Sequence, residues 1–458
     1  MCLAAANARA DPNSTNQDQV PERPAILFNR WQENWAVLAD TRVPREPLDD
    51  LKYIPLSAAD ANTYLSFGAD ARERFESNKA ANFGTSPNHT ANYLISRTEL
   101  HVDFRWASQL QIFAQIQSDF APGKTLLSPV DQDRLDVEQA FATLTEPLAD
   151  GIFRVRLGRQ QFAFDLQRFV SARDGPNVRQ SYDAAWAEYE KNPWRFITFY
   201  SHPVQTEDRR VFDDFSSGRL TYGGVRAERK LTEASSIAAY YSHFTQDNAH
   251  FSNARGNERR EILDMHYTAA FDHIDLDLEA MGQVGRIGND DIRAWAFGSL
   301  AGYTFSDIDW SPRIGMQIDA ASGDTNPNGH VLGTFNPLFP NGYYVTLAGY
   351  TGFVNFIHVK PSVTLHPMPS LKLMLAAAAQ WRATTADAVY TQPDIPVPGT
   401  AGRPGSYTGS YGQLRLDWAV TRSTSFAVEA VHFQIGDAIR RAGGHSSNYL
   451  GVQCAVGW

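Results

Sequence analysis

Between Arg159 and Asp183 the chain sets four arginines, Arg159, Arg168, Arg173 and Arg179, among three aspartates, Asp165, Asp174 and Asp183. A guanidinium presents its N–H donors in a plane that matches a carboxylate edge. Such a run can therefore bind carboxylate-bearing ligands or pair with itself. The segment is too long and too charged for a plain connection, and a loop of this kind can fold inward and narrow an enclosed space. An ordinary external loop, held by its own salt bridges, is the equal alternative.

Other chemistry is thinly represented. Asp324-x-Asn326-x-Asn328-Gly329 matches the first half of a calcium-binding loop, but Phe335 stands where the bidentate glutamate belongs, so a turn built by Asn, Pro and Gly is the better account. There is no G-x-S-x-G elbow, no P-loop, no H-E-x-x-H and no C-x-x-C. The two cysteines, Cys2 and Cys454, cannot make a disulfide framework. No enzyme activity, resident metal or cofactor is expected on these grounds, although a triad assembled from distant strands would leave no local trace.

The elements that must position the charged residues are strands. From Tyr64 onward the sequence alternates with period two. Leu94, Leu100, Val102, Phe104 and Trp106 share a mostly apolar face, while Arg97, Glu99, His101, Asp103 and Arg105 share the opposite one. Ile274, Leu276 and Leu278 alternate with Asp275, Asp277 and Glu279 in the same way, and Leu414, Leu416 and Trp418 with Gln413, Arg415 and Asp417. Eighteen such segments can be marked, most of them 10–14 residues long, about the length that crosses a bilayer with tilt. The apolar stripe changes face near 135–147 and 218–231, which predicts bulges there.

One apolar and one charged face suits either a soluble sheet or a membrane barrel. A soluble sheet would need a cover for its apolar face, and no amphipathic helix at i, i+3, i+4, i+7 spacing supplies one. No run of 18 apolar residues exists, so helical membrane spans are excluded. Aromatic residues make up 12% of the 458, with 18 Tyr and 10 Trp, which suits interfacial girdles. Connections alternate between tight turns, such as Lys191-Asn192 and Pro367-Met368-Pro369, and long loops near 77–91, 120–134, 161–180, 203–217, 246–260, 321–352, 382–408 and 436–447. The expectation is an all-β, transmembrane antiparallel barrel of about 18 strands, with short turns at one rim and long loops at the other.

In that barrel the lumen-facing charges are Arg97, Arg105, Arg154, Arg156, Arg313, Lys360, Lys372, Arg382 and Arg415, with Glu99, Asp103, Asp275, Asp277, Glu279 and Asp417. Arg and Lys rings favour anions in a pore and Asp and Glu rings favour cations. Mutual pairing that stiffens the wall is the competing reading. The net charge of −10 argues against a nucleic-acid partner.

Residues 1–10 read as the remnant of a signal peptide or as an artificial start, because Ala8-Arg9-Ala10 resembles a cleavage site without the segments that should precede it. Residues 11–60 are polar, contain six prolines and read as an irregular periplasmic segment, and 61–458 as the barrel. The last segment ends on the aromatic Trp458, which resembles the terminal signal of inserted bacterial barrels.

Three blocks carry a family resemblance. They are Leu157-Gly158-Arg159-Gln160 continuing through Gln167-Arg168-Phe169-Val170-Ser171 to Arg173–Asp183, then Ser322–Gly329 with Gly333–Tyr344, and Lys52-Tyr53-Ile54-Pro55-Leu56. Together they resemble the alginate export family over nearly the whole chain, from about Trp31 to Trp458. The resemblance implies an 18-stranded barrel in the outer membrane of a Gram-negative bacterium with an arginine-rich pore. It implies passive passage of an anionic polysaccharide, oligosaccharide or related solute; the alternatives are a small-solute uptake porin and, from another class, an outer-membrane hydrolase. The candidate selectivity residues are Arg97, Arg105, Arg154, Arg156, Arg159, Arg168, Arg173, Arg179, Asp174, Glu99, Asp103, Arg313, Lys360 and Arg415. Expected partners are outer-membrane lipid, the solute itself and a periplasmic protein at the amino-terminal segment, with the barrel monomeric. The acidic balance and mixed inward charge depart from a strict polyanion channel.

Overall fold

The computed structural model describes residues 20–85, 90–392 and 394–458. The expectations for residues 1–10 lie outside them. Eighteen strands pair antiparallel with their chain neighbours: β1 Tyr64–Lys79, β2 Thr90–Trp106, β3 Leu110–Phe120, β4 Asp133–Leu148, β5 Gly151–Gln160, β6 Tyr182–Lys191, β7 Trp194–Pro203, β8 Leu220–Thr232, β9 Ser235–His250, β10 Arg255–Phe271, β11 Ile274–Ile287, β12 Asp290–Thr304, β13 Arg313–Ala321, β14 Phe356–Met368, β15 Leu371–Trp381, β16 Tyr407–Ala419, β17 Thr424–Ile435 and β18 Ser447–Gly457. The circle closes where β1 pairs with β18, from Asp70 opposite Gly457 to Lys79 opposite Asn448. Closure leaves the main barrel without an open edge, which is what a sheet needs where no water can satisfy its backbone. Among the described residues no helix is long and apolar enough to cross a membrane.

The exposure pattern follows the period-two sequence. Phe67, Leu100, Ile112, Leu157, Leu263 and Ile314 stand outward and exposed, while the polar residues between them are buried. An apolar outside around a charged inside inverts a soluble core and is the arrangement lipid requires. Near the short-turn rim Trp106, Trp194, Phe271, Tyr303, Trp310 and Trp418 form an exposed aromatic belt. Two of the short turns place non-glycine residues in the left-handed region, Ala149 and Asp150 at φ 46° and 63° in one and Asp272 at φ 44° in the other. Positive φ in a two-residue hairpin turn matches the twist of the strands it joins.

The largest departure of the boundaries from the sequence reading is at one hairpin. The loop expected over 246–260 is mostly strand: β9 and β10 run 16 and 17 residues, longer than a crossing needs, and pair out to His250 and Arg255. Their extension is stabilised by a small apolar cluster of Ala249, Ala254, Ile287, Ile292 and Leu332, the last on a two-residue strand that pairs with Asp291–Ile292. The polarity of Gln246 to Asn248 concealed this, because a hairpin above the bilayer has no lipid-facing stripe. The irregularities expected in 135–147 and 218–231 appear as register shifts between β3 and β4 and between β8 and β9.

Residues 20–63 hold two 3-10 turns, Arg30–Gln32 and Trp35–Ala39, and a single helical turn, Asp49–Lys52. They pack against inward-facing residues of β1 to β5 at the short-turn end. Arg30 pairs with Asp70 and donates to the Trp458 carbonyl. Arg105 donates to the carbonyls of Trp31 and Glu33, at 2.7 Å each. Trp31 meets Phe141 edge-on and carries the Arg156 guanidinium 4.3 Å above its ring.

Candidate functional site

The long connection 161–181 does not stay outside. It contains Phe162, Phe164, Phe169 and Val170, whose burial is worth roughly 1.5–3 kcal/mol each. Inside the barrel they find Tyr182, Trp186, Phe199, Tyr222 and Tyr240 on the wall, with Phe162 stacked on Tyr182 at 4.1 Å. They also meet a second inward loop, 322–355, through Phe335, Phe339 and Phe353. The backbones join as well: Phe339 N–H donates to the Phe169 carbonyl at 2.8 Å, and Asn341 N–H to that of Gln167 at 3.0 Å. The two longest sequence blocks singled out above are thus one packed unit in the lumen.

Charge fastens the first loop at both ends. At one end Arg168 reaches Asp277 at 2.6 Å and Glu279 at 2.8 Å on β11, while Asp165 pairs with Arg226 on β8 at 2.6 Å and His266 on β10 at 2.8 Å. At the other end Asp174 receives Arg97 of β2 at 2.7 Å and Arg179 at 2.9 Å, with Arg72 of β1 at 3.8 Å. Arg179 continues to Glu99 at 2.6 Å. The Asn177 side-chain amide donates to the carbonyls of Ser96, Phe120 and Asp131, pinning the backbone to β2 and β3. Strands β2 and β11 are nine apart in a ring of eighteen, so the loop crosses from wall to opposite wall. Asp165, Gln167 and Arg173 hold φ of 53°, 60° and 53°, a left-handed backbone that persists only where surrounding contacts over-determine it.

Burial alone would raise the Asp174 carboxyl. The charges of Arg179, Arg97 and Arg72 outweigh that and hold it well below the ordinary 3.8. The Asp174 side chain is 43% exposed, in a cavity of about 370 Å³ lined by Arg72, Arg97, Arg179, Asp70, Glu99 and Ile26–Phe28.

The remaining candidate residues are almost all partnered. Arg154 pairs with Glu188 at 2.6 Å, Arg159 with Asp183 at 2.9 Å, and Arg105 with Asp103 at 2.9 Å. Arg313 pairs with Asp275, and Arg415 with Asp417 and Glu429. Arg173 donates to the Leu338 carbonyl and lies over the Phe339 ring. Lys360 donates to the carbonyls of Tyr344 and Val345, and Arg156 is buried among the rings of Trp31, Phe141 and Trp186. Arg382, expected on the lumen wall, instead follows the end of β15 and donates to carbonyls of its own loop, among them Thr400, Arg403 and Gly405. In the half calcium loop, Asp324 accepts the Asn326 N–H at 3.0 Å and the Asn253 amide at 3.1 Å, and Gly329 N–H closes a turn onto the Asn326 carbonyl, while Phe335 is fully buried in the apolar packing.

Among the lumen arginines that escaped the sequence reading are Arg72, Arg74, Arg226 and Arg260. Arg72 and Arg74 alternate on β1 with outward Phe67 and Phe75, a signal blunted by Glu73 on the outer face. Arg74 bonds Glu429 of β17 at 2.6 Å, Tyr449 of β18 and Tyr343 of the second inward loop.

A closed barrel with a lipid-compatible exterior, an aromatic belt and a charged lumen crossed by inward loops is an outer-membrane channel. Residues 63–453 match the model of the alginate export family, and the chain belongs to that family. Comparison with curated proteins gives no match. Among solved structures the fold is similar to that of OccAB1 from Acinetobacter baumannii, at 8% identity and a TM-score of 0.59, covering 90% of this chain and 99% of that one. It is similar also to a BenF-like porin from Pseudomonas fluorescens Pf-5, at 10% identity and 0.57, covering 86% and 99%. A third is OccK2 (OpdF) of Pseudomonas aeruginosa, crystallised in complex with glucuronate, at 10% and 0.54, covering 86% and 98%. At such identities the likeness is one of fold.

Proposed function

We propose that this channel passes carboxylate-bearing solutes of saccharide size across the outer membrane of a Gram-negative bacterium, with Arg72, Arg97 and Arg179 as successive hosts of the solute carboxylate. The carrying observation is the convergence of these three guanidinium groups on the half-accessible Asp174. A solute carboxylate that takes the place of Asp174 leaves the number of buried charges unchanged, so the exchange avoids most of the desolvation cost that opposes moving an isolated ion. Membership of a family named for alginate export supports an anionic cargo. The OccK2 complex with glucuronate is a property of that protein, and agrees in chemistry.

A second reading is favoured by the aromatic packing of the two inward loops. They fill much of the lumen beside β6 to β14, which suits single sugars or short oligomers better than a polymer. Polymer export would require the loops to swing aside. The barrel acts as a monomer in lipid, with no catalytic role and no cofactor, and a periplasmic partner would meet it at the mouth where residues 20–63 gather.

Planar-bilayer recording tests the proposal. In a salt gradient the reversal potential should report anion preference, and trigalacturonate should block the current at concentrations where maltotriose does not. Cation preference, or equal block by the neutral sugar, would overturn it.

A further inference from the structure

On the long-loop side of the barrel, outside the crossing just described, carboxylates gather without enough positive charge to match them. Asp119 at the end of β3 stands in register with Asp133 at the start of β4, and both side chains are fully buried. Asp136 follows three residues on, and Asp214 arrives from the loop 204–219. One oxygen from each of Asp133, Asp136 and Asp214 lies within 4.8 Å of the others.

Their hydrogen bonds do not account for them. Among the described residues neither Asp119 oxygen has a hydrogen-bond partner, nor does Asp133 Oδ1. Asp136 accepts the N–H groups of Val137 and Asp214, and Asp133 Oδ2 accepts from the Gln117 amide at 3.1 Å. That bond places the amide of Gln117, itself 2% exposed, against the cluster with its carbonyl oxygen unpartnered. Among the described residues, the guanidinium groups within 4 Å of these four carboxylates are Arg97, 3.9 Å from Asp119, and Arg159, 3.5 Å from Asp136. Both are engaged more closely, with Asp174 and Asp183. A buried carboxylate that keeps its charge needs a paired cation or a bound metal ion; otherwise it takes up a proton.

We propose that Asp133, Asp136 and Asp214 form a calcium site, with the unpartnered, fully buried Asp119 beside them in register with Asp133 and the Gln117 amide turning to present its oxygen in place of its NH2. Calcium takes six to eight oxygen ligands at about 2.3–2.6 Å, so ligand oxygens up to roughly 5 Å apart fit around one ion. A smaller ion such as magnesium demands a tighter octahedron and retains its water. The consequence is mechanical. The loop 204–219 already docks on β4, with Phe212 N–H donating to the Leu135 carbonyl at 2.9 Å and Arg134 N–H to Asp208 at 3.1 Å. A bound ion would clamp that loop to the β3–β4 hairpin beside the root of the crossing loop.

The test uses the full chain in detergent, stripped with EDTA and titrated with CaCl2. Calorimetry should detect binding at millimolar calcium or below, and the thermal unfolding midpoint should rise by several degrees. In D133N/D136N the binding heat and the calcium-induced shift should vanish, while the midpoint in EDTA stays level or rises because like charges have been removed. D214N, altered only in the loop, should weaken binding at least about tenfold on loss of one charged ligand. A wild-type protein indifferent to 10 mM calcium, or a D133N/D136N variant that keeps the full response, would overturn the assignment.

Discussion

The Arg168 guanidinium lies 2.8 Å from the Glu279 carboxylate with no exposed surface, on the wall opposite the one that Asp174, six residues on, grips through Arg97. Arg168 is therefore a tether more than a host for solute. Replacing it by alanine leaves Asp277 and Glu279 without their guanidinium, a loss of about 3–5 kcal/mol for a buried pair. The crossing loop then releases from β11. Single-channel conductance of R168A should rise and become noisier, and its reversal potential should move toward cations as two carboxylates face the lumen. Unchanged conductance would mean that the aromatic packing alone holds the loop.

Asp174 makes the opposite prediction. D174N removes the internal counter-ion of Arg72, Arg97 and Arg179, so anion preference should increase in the same recordings. Acid reproduces the change. Because its folded carboxyl titrates below the ordinary 3.8, Asp174 contributes stability in full above that pH and loses it as the pH falls further. Wild-type channels should keep their selectivity at pH 3.8 and gain anion preference and gating noise only well below it, where folded Asp174 takes up its proton, whereas D174N should show less of this acid response. A D174N channel with the wild-type reversal potential would remove Asp174 from the pore.

Much of this was legible in the sequence, and for a physical reason. A lipid-facing strand must repeat an apolar residue every second position, so the eighteen strands could be marked from Tyr64 to Trp458, and Arg97, Glu99 and Asp103 could be placed on one face. The loop 161–181 was suspect from its length and charge, but its partners were not readable. Arg168 meets Glu279 across 111 residues, and nothing local in either segment names the other. Arg72 was missed because Glu73 interrupts the outer stripe. The acidic cluster was missed because Asp133 and Asp136 on β4 meet Asp214 only through a returning loop.

The seam of the barrel depends on Arg74. Its bonds to Tyr449 on β18 and Glu429 on β17 span the closing pair of β1 and β18 and the strand beyond it, and its contact with Tyr343 ties the seam to the inward loops. Removing the guanidinium strands Glu429 in a buried position, though Arg415 still pairs with it. R74M should lower stability by about 3–5 kcal/mol, less whatever Arg415 recovers. Denaturant unfolding in detergent, followed by tryptophan fluorescence, would measure it. A loss under about 1 kcal/mol would show that the backbone ladder closes the barrel without help.

The amino-terminal segment should act on flow and not on folding. Its contacts are with inward side chains, among them Tyr64, Asp70, Arg105, Gln111, Phe141 and Arg156, and with the Trp458 carbonyl, while the ladder between β1 and β18 runs without it. Deleting residues 1–45 removes the carbonyls of Trp31 and Glu33 that accept from Arg105 and the ring beneath Arg156. Two guanidinium groups then face water in a wider mouth. Conductance should increase and anion preference should strengthen, because Arg side chains draw anions into a confined opening. The unfolding transition should stay close to that of the full chain. A truncated barrel that fails to fold would show instead that the Arg30–Asp70 pair and the Trp31–Phe141 contact are needed to close the sheet, and point variants R105M and W31A would then carry the conductance test.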